Sequence, residues 1–225
     1  MAPTSSPLPR GPHHLPRETV EASQRDRVLR AMVGSVAERT YAGASVTDVI
    51  ARAGVSRRTF YEHFANKEEC FLAAYDRGWN QLSEVLTGAA RTSQASSDDP
   101  VDWLRASLGA HLRFMVDEPA FARSFFIEVL AAGPAALERR AEVHAAFASM
   151  TQAWHRRARS TSDAFHPVPE GTYRALVGAM HELVVDRVRR GRTSELGDLE
   201  PTILYIHLAL LGDAATATAS TRGAT

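Results

Sequence analysis

Across 225 residues there is one cysteine, Cys70, and one lysine, Lys67, and 26 basic side chains balance 26 acidic ones. One thiol cannot form an intrachain disulfide or a multi-cysteine metal site. Flanked by Phe71 and Leu72, Cys70 reads as a buried structural residue. No apolar run approaches the roughly eighteen residues of a membrane span, and the first residues hold no apolar segment of the signal-peptide kind. No membrane association is expected, and the expected location is cytoplasmic. Catalytic signatures are missing as well: there is no Gly-x-Ser-x-Gly elbow, no P-loop, no Gly-x-Gly-x-x-Gly after a strand and no His-Glu-x-x-His. The expectation is a protein that is not an enzyme and carries neither metal nor cofactor. Runs of alternating apolar and polar residues bounded by hairpin turns are also missing, so the expected fold class is all-α. A hydrophobic fraction of 44% with 23% charge is ordinary for a soluble globular chain.

The zero net charge hides an uneven distribution. Residues 1–67 carry ten Lys/Arg against six Asp/Glu, and the remainder carries sixteen against twenty, so a basic N-terminal part (+4) faces an acidic rest (−4). At a Debye length of about 10 Å a polyanion responds to the local charge. Residues 1–20 hold five of the eleven prolines together with Arg10, His13, His14 and Arg17. That composition cannot build a core and reads as a flexible basic arm, either a minor-groove contact or a leader without contact.

Helical spacing begins soon after. A first helix over about 23–39 carries Val28, Leu29, Met32, Val33 and Val36 on one side. Ser45-Val-Thr-Asp is a capping box that opens a second helix, and Gly54 supplies the turn after it. Ser56 caps a short third helix that buries Phe60 and Phe64. Asn66 and Glu69 open a fourth, expected to end near residue 86 because the Gly/Ser/Thr/Asp stretch 87–99 breaks the pattern. Pro100, Pro119 and the Gly133-Pro134 pair mark further helix starts. Later stripes run through Leu104, Leu108 and Leu112, then Phe121, Phe125, Phe126, Val129 and Leu130 in one helix closed by Gly133-Pro134, then Val143, Phe147 and Trp154, then Tyr173, Leu176 and Val184. The last helix, from about residue 199, is apolar nearly all round and must be covered on several sides. It is either the centre of a monomer or, the preferred reading, half of a two-fold homodimer contact made with the preceding helix.

With Phe60 at the centre of the buried face of the third helix, Arg58 and Glu62 point away from it, Thr59 and Tyr61 flank them, and Arg57 is long enough to reach out. Such a surface suits a major groove. Arginine reads guanine bidentately, threonine touches a thymine methyl, and tyrosine reaches phosphate or a base edge. Glu62 either accepts from a cytosine or pairs with Arg58 one turn earlier, the pairing being expected in free protein. Lys67 lies at the wrong end of a helix dipole unless an anion arrives there, and a helix start plus a lysine is a ready phosphate site.

The run Thr47-Val-x-Asp-Val-Ile-Ala-x-Ala-Gly-Val-Ser-x-x-Thr-Phe-Tyr-x-His-Phe-x-Asn-Lys-Glu-Glu closely resembles the N-terminal domain of the TetR family of transcriptional regulators, over about residues 23–75. The resemblance implies a three-helix helix-turn-helix DNA-binding domain at 21–68 and a larger helical ligand-binding and dimerisation domain at 69–225. It implies base reading by Arg57, Arg58 and Thr59, backbone and nearby base contacts by Tyr61 and His63, and phosphate contacts by Ser45, Thr47 and Lys67. His63, near the buried side, is equally readable as a structural histidine, and Ser45 as a helix cap. The partners implied are a double-stranded palindromic operator, a second copy of the chain and an apolar or aromatic small-molecule effector. Members of the family are more often repressors than activators. Candidate pocket residues are Trp103, His111, Met115, Phe125, Phe126, Phe147, Trp154 and Tyr173, with His111 singled out because it interrupts an apolar stripe. The rival reading is a helical small-molecule-binding or structural dimer without operator-specific function.

Overall fold

A computed structural model describes residues 17–221 of the chain. Among them are ten α-helices and no strand, only an isolated bridge between Phe165 and Gly212. Three helices form a head: α1 (Arg17–Gly43), α2 (Val46–Ala53) and α3 (Arg57–His63). Seven form a body: α4 (Lys67–Ser96), α5 (Pro100–Asp117), α6 (Pro119–Phe126), α7 (Pro134–Thr161), α8 (Gly171–Arg189), α9 (Glu200–Leu211) and α10 (Ala214–Thr221). Short 3-10 turns cover Glu128–Ala131 and Thr193–Leu199.

Local capping explains most of the head. Ser45 accepts from the Asp48 N–H while the Asp48 carboxylate accepts from the Ser45 N–H, the reciprocal pair expected from the sequence. Gly54 closes α2 at φ 62°, a left-handed value that a side chain would strain. Ser56 caps α3 through the Thr59 N–H, and Asn66 caps α4 through the Glu69 N–H. Val28, Met32, Val49, Phe60 and Phe64 are buried together, and the same apolar core continues through Phe71, Phe125 and Leu204 without a break. Head and body therefore share one core across residue 68. Cys70 lies inside it, and burial pushes its thiol up to about 12, which leaves it protonated and unreactive.

Several expectations change. Residues 17–20 belong to α1, and the rest of the proposed arm lies outside the described residues. Helix α4 does not stop at Leu86. Ala89, Ala90, Arg91, Gln94 and Ala95 are good helix formers, and the Thr87 and Ser96 hydroxyls donate to Ser83 O and Thr92 O, so the polar stretch stays helical to Ser96. The helix opened by Pro119 ends at Phe126 and gives way to the 3-10 turn. The apolar helix at the end of the body, α9, is followed by α10, which covers part of it; Ile203, Leu204, Leu208 and Leu211 are buried, while Tyr205 and Leu210 stay exposed.

Near its end α1 bends at Thr40, whose φ of 65° is the one positive value among the described residues other than glycine. Such a conformation costs about 1–3 kcal/mol and persists only when its surroundings hold it. Two side chains do so. The buried carboxylate of Glu128, from the body, accepts the Tyr41 N–H at 2.7 Å. Lys67, from the first turn of α4, donates to Tyr41 O at 2.9 Å and Ala44 O at 3.1 Å.

Candidate nucleic-acid interface and effector cavity

The third helix presents the side chains that its spacing suggested. Phe60 is fully buried beneath it, while Arg57, Arg58 and Tyr61 face solvent. Arg58, with 88% of its side chain exposed, pairs with Glu62 at 2.9 Å, the i, i+4 contact expected in free protein. The Arg57 guanidinium lies over the Tyr61 ring at 5.6 Å. Thr59 is less available: its hydroxyl shares a 2.8 Å hydrogen bond with Ser56 and is only half-exposed. His63 is half-buried beside Phe64.

At the start of α2 the two hydroxyls differ. Ser45 donates both its N–H and its Oγ–H to Asp48, so neither proton is free for a phosphate. Those hydrogen bonds, side chain first, hold the Asp48 carboxyl below its usual range. Thr47 is exposed, and its hydroxyl makes no hydrogen bond within the described residues. Lys67 is already engaged within its own chain. Two of its three protons go to carbonyls at the end of α1, and its ammonium sits 4.2 Å from the Tyr41 ring centroid. It ties α4 to α1, and Glu68 and Glu69 supply the acidic complement of the α4 dipole. Lys67→Met should therefore lower stability by about 1–2 kcal/mol, the worth of charge-assisted bonds at a half-exposed site. Denaturant titration checks this, and an unchanged midpoint would mean that the lysine serves phosphate alone.

Within the body, α4 to α9 enclose a cavity of about 430 Å³, a usual size for a small-molecule site. Of the candidate pocket residues, Trp103, His111, Phe125, Phe126, Phe147 and Trp154 line it. Met115 and Tyr173 do not. Met115 is fully buried in the core, and the Tyr173 hydroxyl meets His155 Nδ1 at 3.0 Å, while His155 Nε2 donates to Leu211 O. His181 lines the cavity too, and so do His144, His207, Arg91 and Arg157, four residues that the sequence did not mark as pocket residues. His144 sits beside Val143 in a stripe read as core, and His207 in a helix read as apolar nearly all round, so neither stood out as a polar wall residue.

Burial takes His111 down to about 4, and burial followed by the Arg140 charge does the same for His144 and His181. His111 stacks on Phe147 at 5.2 Å, and its Nε2 has no partner. At neutral pH the cavity wall is uncharged at these three rings. In the unfolded chain the same rings titrate near 6.5, so between pH 6.5 and pH 4 the unfolded state binds more protons. Stability should be full above pH 6.5 and fall as the pH drops, by about 1.4 kcal/mol per unit for the fully buried His111 and less for the half-buried pair. Thermal unfolding from pH 7 to pH 5 reads this, and His111→Phe should flatten the slope.

Residues 29–74 match the model of the family described as bacterial regulatory proteins, tetR family. The regulator EthR of Mycobacterium tuberculosis is 30% identical over 156 residues, covering 68% of this chain and 65% of that protein. The transcriptional activator FasR of Mycolicibacterium smegmatis is 30% identical over 114 residues, 51% of this chain and 48% of that protein. The chain thus spans less than two thirds of the curated relatives it matches, and only 19% of the YxbF regulator of Bacillus subtilis. Among solved structures, FadR of Bacillus halodurans superposes with a TM-score of 0.72 at 18% identity, covering 82% of this chain and 94% of that one. FadR of Bacillus subtilis, in complex with stearoyl-CoA, gives 0.72 at 16% identity, covering 83% and 98%. These two establish likeness of fold.

Proposed function

The chain belongs to the tetR family of bacterial regulatory proteins, and on that premise we propose that it is a cytoplasmic, sequence-specific DNA-binding transcriptional regulator. It binds a palindromic operator as a homodimer and, as a repressor, is released by a small molecule in the body cavity. The observation that carries this reading is the pairing of an exposed Arg57, Arg58 and Tyr61 surface on α3 with an apolar cavity in a body that shares its core. No described helix is long and apolar enough to cross a membrane.

Magnitudes favour DNA reading by Arg58. Breaking its exposed pair with Glu62 costs about 0.3–0.5 kcal/mol, while a bidentate guanine contact is worth about 1–3 kcal/mol of discrimination. Thr47, with its free hydroxyl, suits phosphate better than Ser45. Exposed Tyr205 and Leu210 on α9 suit a second copy of the chain, which would set two α3 helices one DNA turn, about 34 Å, apart.

The path from cavity to DNA runs through α6. Phe125 and Phe126 line the cavity, and Glu128, just beyond them, holds the strained end of α1 through Tyr41. A ligand that moves α6 weakens that hold and shifts the head geometry, to the extent of its preference between the two states. The stearoyl-CoA complex of the Bacillus subtilis FadR supports an apolar effector. The reading is tested by titrating operator DNA with wild type, Arg58→Ala and Thr47→Ala. Arg58→Ala should relax preference at one base position, while Thr47→Ala should weaken all sequences alike. Equal losses on every sequence for both variants would overturn this division of roles.

A further inference from the structure

We propose that the α6 end of the cavity is a carboxylate subsite formed by His181 and His144 with Arg140 behind them, so that the effector is an apolar monocarboxylic acid bound head inward. This rests on the reading of the cavity as an effector site.

Arg140 is the unusual group. Its neighbour Arg139 takes both nearby carboxylates, Asp76 and Glu142. Arg140 has no ion-pair partner among the described residues, and its buried Nε has no hydrogen-bond partner. Its one hydrogen bond among the described residues joins Nη2 to His181 Nε2 at 3.0 Å. A guanidinium can only donate, so Nε2 accepts and the His181 proton resides on Nδ1. No protein acceptor takes that proton among the described residues. His144, one turn after Arg140 on α7, stands ring to ring with His181 at 4.8 Å and makes no hydrogen bond of its own. Both histidines line the cavity, and His181 lies against Phe126. The Tyr75 hydroxyl, buried where the Arg140 charge reaches it, is also unpartnered.

A half-buried cation without a counter-charge is costly, and a bound anion removes that cost. A carboxylate at this end accepts from His181 Nδ1–H, which Arg140 polarises, and neutralises the guanidinium through the ring. The remaining wall, with Leu108, Phe147 and Trp154, takes an apolar body. Arg157 and Arg91 also border the cavity, but Arg157 lies thirteen residues along α7 from His144, roughly 20 Å at the helical rise. A thioester effector with its charged part outside would use that far end instead. The two ends are therefore separable by mutation.

The experiment is isothermal calorimetry on the full chain with decanoate, 1-decanol and decylamine, using wild type, Arg140→Met and Arg157→Met. Decanoate should bind at least about tenfold more tightly than decanol, the size of one charge-assisted bond, and decylamine should bind worst. Arg140→Met should erase the acid preference while decanol affinity stays level, which also shows that the cavity is intact, and Arg157→Met should leave the preference in place. Equal affinity for acid and alcohol, or loss of the preference in Arg157→Met alone, overturns the carboxylate subsite and leaves the effector cavity standing. Failure of all three probes to bind overturns both.

Discussion

Replacing Gly78 with alanine is expected to destabilise the protein by about 2 kcal/mol, although alanine is the better helix former by about 1 kcal/mol. A Cβ at this position in α4 would lie 1.9 Å from Phe121 Cε2. The Phe121 ring cannot swing away cheaply, because it is buried against Phe114 at 5.8 Å and Phe125 at 5.1 Å. Overpacking of this kind costs about 1–3 kcal/mol or more, which outweighs the propensity gain. The thermal midpoint should drop by about 4–8 °C for a chain of this size, and further in Gly78→Val. A raised midpoint in Gly78→Ala would mean that α4 and α6 are not packed as described.

Glu128→Leu is expected to abolish effector response while ligand affinity stays within about threefold of wild type. The buried carboxylate holds the Tyr41 N–H at 2.7 Å and Arg123 at 3.0 Å. Without it the Tyr41 N–H loses its acceptor and Thr40 loses a support for its strained backbone. Removing one partner of a buried pair costs about 3–5 kcal/mol, and partial exposure of Arg123 brings the stability loss nearer about 2 kcal/mol. Glu128→Gln separates stability from charge, because an amide oxygen still accepts from Tyr41. It should keep most of the response, read as the change in DNA affinity on adding ligand. A normal response in Glu128→Leu would show that the cavity and the head communicate by another route.

The parts of the fold legible in the sequence are those set by neighbours three or four residues apart. The capping box of Ser45 and Asp48, the caps at Ser56 and Asn66, the buried Phe60 and the Arg58–Glu62 pair all follow from such spacing. Contacts between distant segments were not legible. Lys67 reads as a free cation until the end of α1 is placed against it, 26 and 23 residues away in sequence. Nothing in the sequence around Glu128 points to Tyr41, its partner 87 residues away. The cavity histidines come from α5, α7, α8 and α9, and no stretch of sequence shows that they meet. The reach of α4 to Ser96 was missed for a different reason: its hydroxyls fold back onto their own helix, so a polar composition did not mean a loop.

Selection of DNA fragments from random sequence by the purified chain, followed by titration of the enriched fragment across salt concentrations, tests the central claim most directly. The account predicts a palindrome with half-sites one helical turn apart, bound by a dimer, with affinity falling steeply as salt rises. No enriched sequence, together with weak binding at low salt both with and without decanoate, would contradict it and leave a helical ligand-binding protein.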